Sequence, residues 1–169
     1  MNIFATSICP TTSAKNLDDK RLIKMVLESA QLLSTAVFLN SNIIYNDIYK
    51  PTHLKHPCTI WASLNRNNWD WLFLHFQSLC QEYTFRFNKK HKTENLLSTL
   101  VQYDQYLIKN KQITPFPNCT KSKILQVDFT TIINPHDAYQ QYLVVKWTHD
   151  QPKPRWTNTT PPSWFIIEL

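Results

Sequence analysis

Glycine is absent from all 169 residues, which excludes every glycine-rich phosphate loop, the P-loop and the dinucleotide fingerprint alike. Nucleotide cofactors lose their usual cradle, and no cofactor is expected. Left-handed caps and turns then fall to asparagine, and Asn40, Asn88 and Asn110 stand where helical patterns stop. No C-x-x-C pair occurs among Cys9, Cys58, Cys80 and Cys119, and the chain opens on no charged-then-apolar leader of the secretory kind. The four are read as reduced thiols of a cytoplasmic protein, with Cys58 beside Trp61 and Cys80 within an apolar helix placed like core residues. No stretch reads as a basic amphipathic anchor or as an apolar run able to span a bilayer, so no membrane partner is expected.

What is present is a folding sequence. Hydrophobic residues make up 43% and aromatics 13%, enough for one compact domain spanning residues 1–169. The periodicity predicts an all-α architecture of about four helices with long irregular loops. Thr11, Thr12 and Ser13 offer N-caps for a helix over about 14–39. Pro57 suits the first turn of a second helix to about Phe87, whose stripe Trp69, Leu72, Phe73, Phe76, Cys80, Tyr83 and Phe87 is read as core. Thr93 starts a third helix to about Lys109, and Asn134-Pro135 opens a fourth through Lys146. Residues 114–128 read as a surface loop. The proline-rich end, 151–169, is too irregular for a helix and too aromatic for a free tail, so it is expected to pack back onto the body in the manner of a gate or lid.

Formal net charge is +6 with an isoelectric point near 9.2, and several cations lie beside aromatics, as Arg66 near Trp69 and Arg155 next to Trp156. An anionic partner is favoured, nucleic acid before membrane. Abundant Asn, Ile and Lys suggests an AT-rich genome of the phage or viral kind, so the expected setting is cytoplasmic, or the host cytoplasm or nucleus if viral.

Helix 21–35 carries the candidate chemistry. At about 100° per residue, Arg21, Lys24, Glu28, Gln31 and Thr35 fall within roughly 80° of one another, while Leu22, Ile23, Met25, Val26, Leu27, Ala30 and Leu33 occupy most of the remaining circumference. A helix so largely apolar must be mostly buried, and a narrow charged strip on it is what a cleft requires. Glu28 is the lone carboxylate of that strip. Lys24 and Glu28 also satisfy the i, i+4 spacing of a solvated ion pair, a competing reading that contributes only a few tenths of a kcal/mol. His53 and His56, with Cys58 close by and His91 beyond, contain zinc-ligand types, but His-x-x-His in a loop lacks the helical context of a metal motif. They are read as loop histidines that bond locally or contact phosphate, and no metal is expected. His75 is read as a satisfied or partly exposed helix histidine.

Leu17-Asp18-Asp19-Lys20-Arg21-Leu22, followed six residues later by Glu28, resembles the opening helix of the pyrimidine-dimer DNA glycosylases, the endonuclease V type of repair enzyme with AP-lyase activity, where the pattern is Leu-x-Asp-x-His-Leu and then Glu. His56-Pro57-Cys58-Thr59-Ile60-Trp61, leading to Arg86-Phe87-Asn88, is a second echo, and both segments also look like a group of phage and viral proteins of uncertain activity. The resemblance covers roughly residues 1–90. It implies a compact all-α monomer facing damaged duplex DNA, whose α-amino group attacks the sugar C1′ while Glu28 stabilises the cationic sugar and moves protons. Departures are specific. The family exposes a small residue by removing the initiator methionine, whereas Asn2 follows Met1 and usually blocks that removal. The nucleophile then lies at Met1, at Asn2 if Met1 is lost, or at Lys24 with its pKa lowered by Arg21. Arg21 replaces the motif histidine, and Leu27 and Gln31 stand where two phosphate-contacting arginines would be. Cations left to hold DNA are Lys20, Arg21, Lys24, Arg66, Lys89, Lys90, Lys92 and Arg155, with Gln31, His53 and His56 as polar contacts.

Three functions fit: a base-excision enzyme, glycosylase with or without lyase activity, on damaged or modified pyrimidines; a non-catalytic nucleic-acid-binding or anti-host protein; and an enzyme or binder for nucleotides or modified bases.

Overall fold

The computed structural model describes residues 1–109 and 112–165. Among these, α1 (Pro10–Asn16), α2 (Asp19–Ser41), α3 (Pro57–Leu64), α4 (Arg66–Phe87), α5 (Leu96–Leu100) and α6 (Pro135–His149) form an all-α core, with 3-10 turns at Lys92–Asn95 and Val101–Tyr106. A two-stranded antiparallel ribbon pairs β1 (Lys121–Ser122) with β2 (Val127–Asp128). α2 is the central element, packed on α3 and α4, and α1 lies against α4.

Each departure from the four predicted helices has a local cause. The first predicted helix is two helices, because Leu17 and Asp18 are extended; Cys9 and Asp18 occupy the N-cap positions and Thr11, Thr12 and Ser13 lie inside α1. Proline at the first turn sets α1 as it sets α3 and α6. The second helix breaks at Asn65, which is extended and whose Oδ1 accepts from the Asn68 N–H at 3.0 Å, an Asx cap inside an uninterrupted helical pattern. The third dissolves into 3-10 turns around α5, and the loop at 114–128 carries the small ribbon. Without glycine, positive φ falls on Phe4, Asn42, His53, Asn88, Gln126 and Asn158. Asn88 caps α4 as expected, while the left-handed cap of α2 is Asn42. Asn40 stays helical and donates to the Ala36 and Ser63 carbonyls, and Asn110 lies outside the described residues.

The aromatic stripe of α4 is core as predicted, with Trp69, Leu72, Phe76, Cys80 and Tyr83 buried. α2 buries Leu22, Met25, Val26, Leu32 and Leu33, each contributing about 1.5–3 kcal/mol. That sum far exceeds any surface ion pair, so the apolar faces set the rotation of α2 and its charged strip is left for other work. Ile23 and Leu27 remain exposed. α2 is in fact long and apolar enough to cross a bilayer by length and composition, against expectation, but two thirds of its most apolar window is buried inside the protein.

The C-terminal segment packs back as far as Phe165, and residues 166–169 lie outside the described residues. Trp156, Trp164 and Phe165 surround Trp147, the Thr157 hydroxyl and N–H donate to Asp19, and Asn158 donates to the Arg86 carbonyl.

His75 is wholly buried, not partly exposed. Its Nδ1 lies 3.0 Å from the Pro10 carbonyl, Nε2 has no partner, and the ring stacks on Trp71. Burial lowers its pKa from 6.5 to about 4. Protonation then favours the unfolded chain, so the contribution of neutral His75 is complete above about pH 6.5 and is lost as pH falls toward 4, amounting to roughly 3 kcal/mol. His75→Gln, which keeps a donor for Pro10, is expected to flatten the acid limb of a stability–pH curve measured by urea denaturation; curves that stay parallel to wild type would refute this origin.

Candidate active site

Asn2 gathers the N-terminal strand by accepting from the Ile3 and Phe4 N–H groups at 2.7 and 3.0 Å and donating through Nδ2 to the Cys119 carbonyl at 3.1 Å. This fold of the chain, with Phe4 held at φ 41°, turns the terminus onto α2. Glu28 Oε2 accepts from the Asn2 N–H at 3.1 Å and lies 3.8 Å from the Met1 ammonium, while Oε1 is 3.2 Å from Lys24 Nζ. The pair is asymmetric: the Glu28 side chain is 11% exposed and Lys24 71%. The i, i+4 ion pair expected of a solvated face is therefore present, but its carboxylate is sunk and shared with the chain's own amine.

These groups line a cavity of about 290 Å³ with Phe4, Lys20, Arg21, Met25, Tyr142, Lys146 and Asp150. That is close to the small end of ligand pockets. Arg21 occupies the wall between two carboxylates, 3.0 Å from Asp18 and 2.6 Å from Asp150, and those partners raise its pKa against the opposing effect of burial. Asp18 also accepts from the Trp147 indole at 2.7 Å, so Arg21, Asp18 and Trp147 fasten α2 to α6. Lys20 stands 3.5 Å from Asp150.

Lys146 was legible only as part of a helix. Burial, then the neighbouring Arg21, Lys24 and Lys20, lower its pKa, opposed by Asp150, and its Nζ lies 5.1 Å from the Tyr142 ring. Tyr142 and Lys146 lie four residues apart on one face of α6, which is the signal that places them together, and Asp150 follows as the extended C-cap of that helix.

The remaining candidates divide. Arg155 and Lys153 line a smaller hollow of about 150 Å³ that adjoins the cavity through Lys20 and Asp150. Gln31 does not line the cavity, and just beyond it Thr35 Oγ1 accepts from the Thr52 N–H at 3.1 Å, so the loop before α3 covers that end of the strip. His53 is exposed, whereas His56 is half-buried and senses the charges of the terminal amine and Glu28. Arg66 is turned to Asp70 and Asp104. Lys89, Lys90 and Lys92 are exposed just beyond the C-terminal end of α4, with Lys90 3.7 Å from Glu94. Neither group lines the cavity.

A primary amine, a sunken carboxylate and a ring of cations in one small cavity can attack an electrophilic carbon, stabilise a developing positive charge and hold an anion. No curated protein and no solved structure matches the chain. The sequence profile for pyrimidine dimer DNA glycosylase matches residues 1–95, more than half the chain and the whole stretch from Met1 through α2 to the basic end of α4, and on that match the protein belongs to the pyrimidine dimer DNA glycosylase family.

Proposed function

We propose that this protein excises damaged or modified pyrimidines from duplex DNA by amine attack, and that the same amine then cleaves the strand as an AP lyase. The observation that carries the reading is the terminal amine held 3.8 Å from Glu28 inside the cavity. As a class, α-amines are weaker bases than lysine amines, which suits the terminal amine to nucleophilic attack. Its lone pair attacks C1′ of a nucleotide displaced from the stack, the N-glycosidic bond breaks, and its electron pair leaves with the base, which takes up a proton. The aminal opens to a Schiff base as the ring oxygen takes a proton. Loss of a C2′ proton then expels the 3′ phosphate by β-elimination. Glu28, beside the amine, offsets positive charge as it develops at C1′ and relays the amine proton. Lys20, Lys153 and Arg155 border the cavity where phosphates would run, and the protein acts as a monomer. The exposed Ile23 and Leu27 lie on the same open side of α2 as Lys24 and face the DNA in this reading.

Lys146 is the second amine, favoured by its place in the cavity and its lowered pKa. Borohydride added during incubation with duplexes bearing an abasic site or a cyclobutane dimer is expected to trap a covalent adduct, mapped by peptide mass to Met1, or to Asn2 where Met1 has been removed. An adduct on Lys146 or Lys24 would reassign the nucleophile. No adduct on any substrate, with DNA binding retained, would refute the lyase and leave a binding protein or a water-activating glycosylase.

A further inference from the structure

His56, Cys58 and Cys119 come together from two segments distant in sequence, with one donor atom of each lying within 4.8 Å of the others. A cluster of His53, His56, Cys58 and His91 does not form: His53 is exposed, and His91 is occupied in capping a 3-10 turn at Thr93. In its place Cys119, which no sequence spacing links to α3, closes the set. The two sulfurs are 3.7 Å apart. Two thiolates on one tetrahedral ion, each at about 2.3 Å, are separated by roughly 3.8 Å, so the pair already stands at the edge length of such a site.

The donors are also held in place. His56 and Cys58 flank Pro57 on the first turn of α3, and His56 Nδ1 accepts from the Cys58 N–H at 3.2 Å, which fixes the imidazole at the start of that helix. Cys119 is fixed through its backbone: its N–H donates to the Tyr139 hydroxyl at 3.3 Å and its carbonyl accepts from Asn2 Nδ2 at 3.1 Å, while Tyr139 donates to the Pro117 carbonyl at 2.7 Å. Cys58 is buried and the other two are half-buried, so the site is reachable and shielded. One imidazole and two thiols are a soft set that selects zinc-class ions over magnesium or calcium.

We propose that His56, Cys58 and Cys119 bind one zinc-class divalent ion that clips the segment before β1 onto the first turn of α3. Binding replaces the two thiol protons by metal–sulfur bonds and releases them to solvent, and the His56 lone pair exchanges its N–H contact for the metal. Three protein ligands leave a fourth position for water. Asn2 hangs from the Cys119 carbonyl, so the clip also steadies the terminal strand. The inference stands apart from base excision and does not depend on it.

Cobalt(II) is the probe, added to the reduced, chelator-treated full chain without oxygen. One equivalent is expected to give thiolate-to-cobalt charge transfer and the intense visible bands of a four-coordinate site, both erased when zinc is added. Cys119→Ser is expected to lose the bands while its circular dichroism remains that of wild type, and Cys9→Ser to keep them. Zinc is expected to slow the reaction of two thiols with a thiol reagent and leave Cys9 reactive. Absence of the bands in folded wild type, bands that persist in Cys119→Ser, or a Cys58–Cys119 disulfide forming with the ion present would each overturn the proposal.

Discussion

Glu28→Gln is expected to lower base excision and borohydride trapping by about 10³-fold while DNA affinity is kept or raised. Glutamine fills the same volume and keeps an oxygen for the Asn2 N–H, so the strand stays in place. What it removes is the charge. Glu28 faces the Met1 ammonium at 3.8 Å and Lys24 at 3.2 Å, and an amide in its place offers neither a proton acceptor for the amine nor a counter-charge for a cationic sugar. The cations proposed to hold phosphate, Lys20, Lys153 and Arg155, are untouched by the substitution and lose nothing when a negative charge disappears from the cavity. Single-turnover cleavage of a dimer-containing duplex, with affinity measured alongside, separates the two effects. Cleavage within a few-fold of wild type would refute the assignment and move the charge to Asp150, the other carboxylate of the cavity.

The part of this site that lay on one helix was readable, and the part that needed the chain to return was not. Arg21, Lys24 and Glu28 share a face because the 3.6-residue period puts them there, and the apolar remainder of α2 fixes which way that face points. Gln31 shares the phase but falls outside the cavity, since periodicity cannot say which loop will lie over a strip. Lys146 and Asp150 stand more than a hundred residues from Glu28, and it takes contacts such as Asp18–Trp147 and Arg21–Asp150 to bring α6 and its C-cap across. The same limit hid Cys119 from His56 and Cys58. Arg66 shows the converse: a cation beside an aromatic reads as a nucleic-acid contact until its carboxylates come into view.

Helix existence was legible for the same reason, as were the ends that Pro57, Asn88 and Asn134-Pro135 mark, and the breaks inside helical patterns were not. Asn65 breaks the long helical pattern without proline or glycine, through a side-chain bond to a backbone N–H three residues on, and an Asn in a helical pattern is ordinarily just an Asn. Leu17–Asp18 breaks the first helix to place Asp18 between Arg21 and the Trp147 indole, a partnership visible only in three dimensions.

Arg86→Met is expected to cost about 3–5 kcal/mol of stability, the range for removing one member of a buried charge network. In sequence it is a cation at a helix end; in the structure its side chain is 0% exposed. Nε donates to Glu82 at 3.0 Å, Nη1 to the Leu17 carbonyl at 2.8 Å and to Asp19 at 3.1 Å, and Nη2 to the Lys15 carbonyl at 3.0 Å. One guanidinium thus satisfies the free carbonyls where α1 ends and the carboxylate that begins α2. Methionine fills much of the volume and leaves Glu82 and Asp19 without their buried cation and two carbonyls without a donor. Arg86→Lys keeps the charge but cannot point donors in four directions, so it is expected to recover only part of the loss. The midpoint of urea unfolding, with the slope unchanged, reads both effects. Because α2 begins at Asp19 and carries Glu28 two and a half turns on, folded Arg86→Lys should also lose cleavage without losing DNA affinity. A lysine variant as stable as wild type would mean that charge alone holds the joint, and that the fork reaching Lys15, Leu17, Asp19 and Glu82 does not set the position of the helix that carries Glu28.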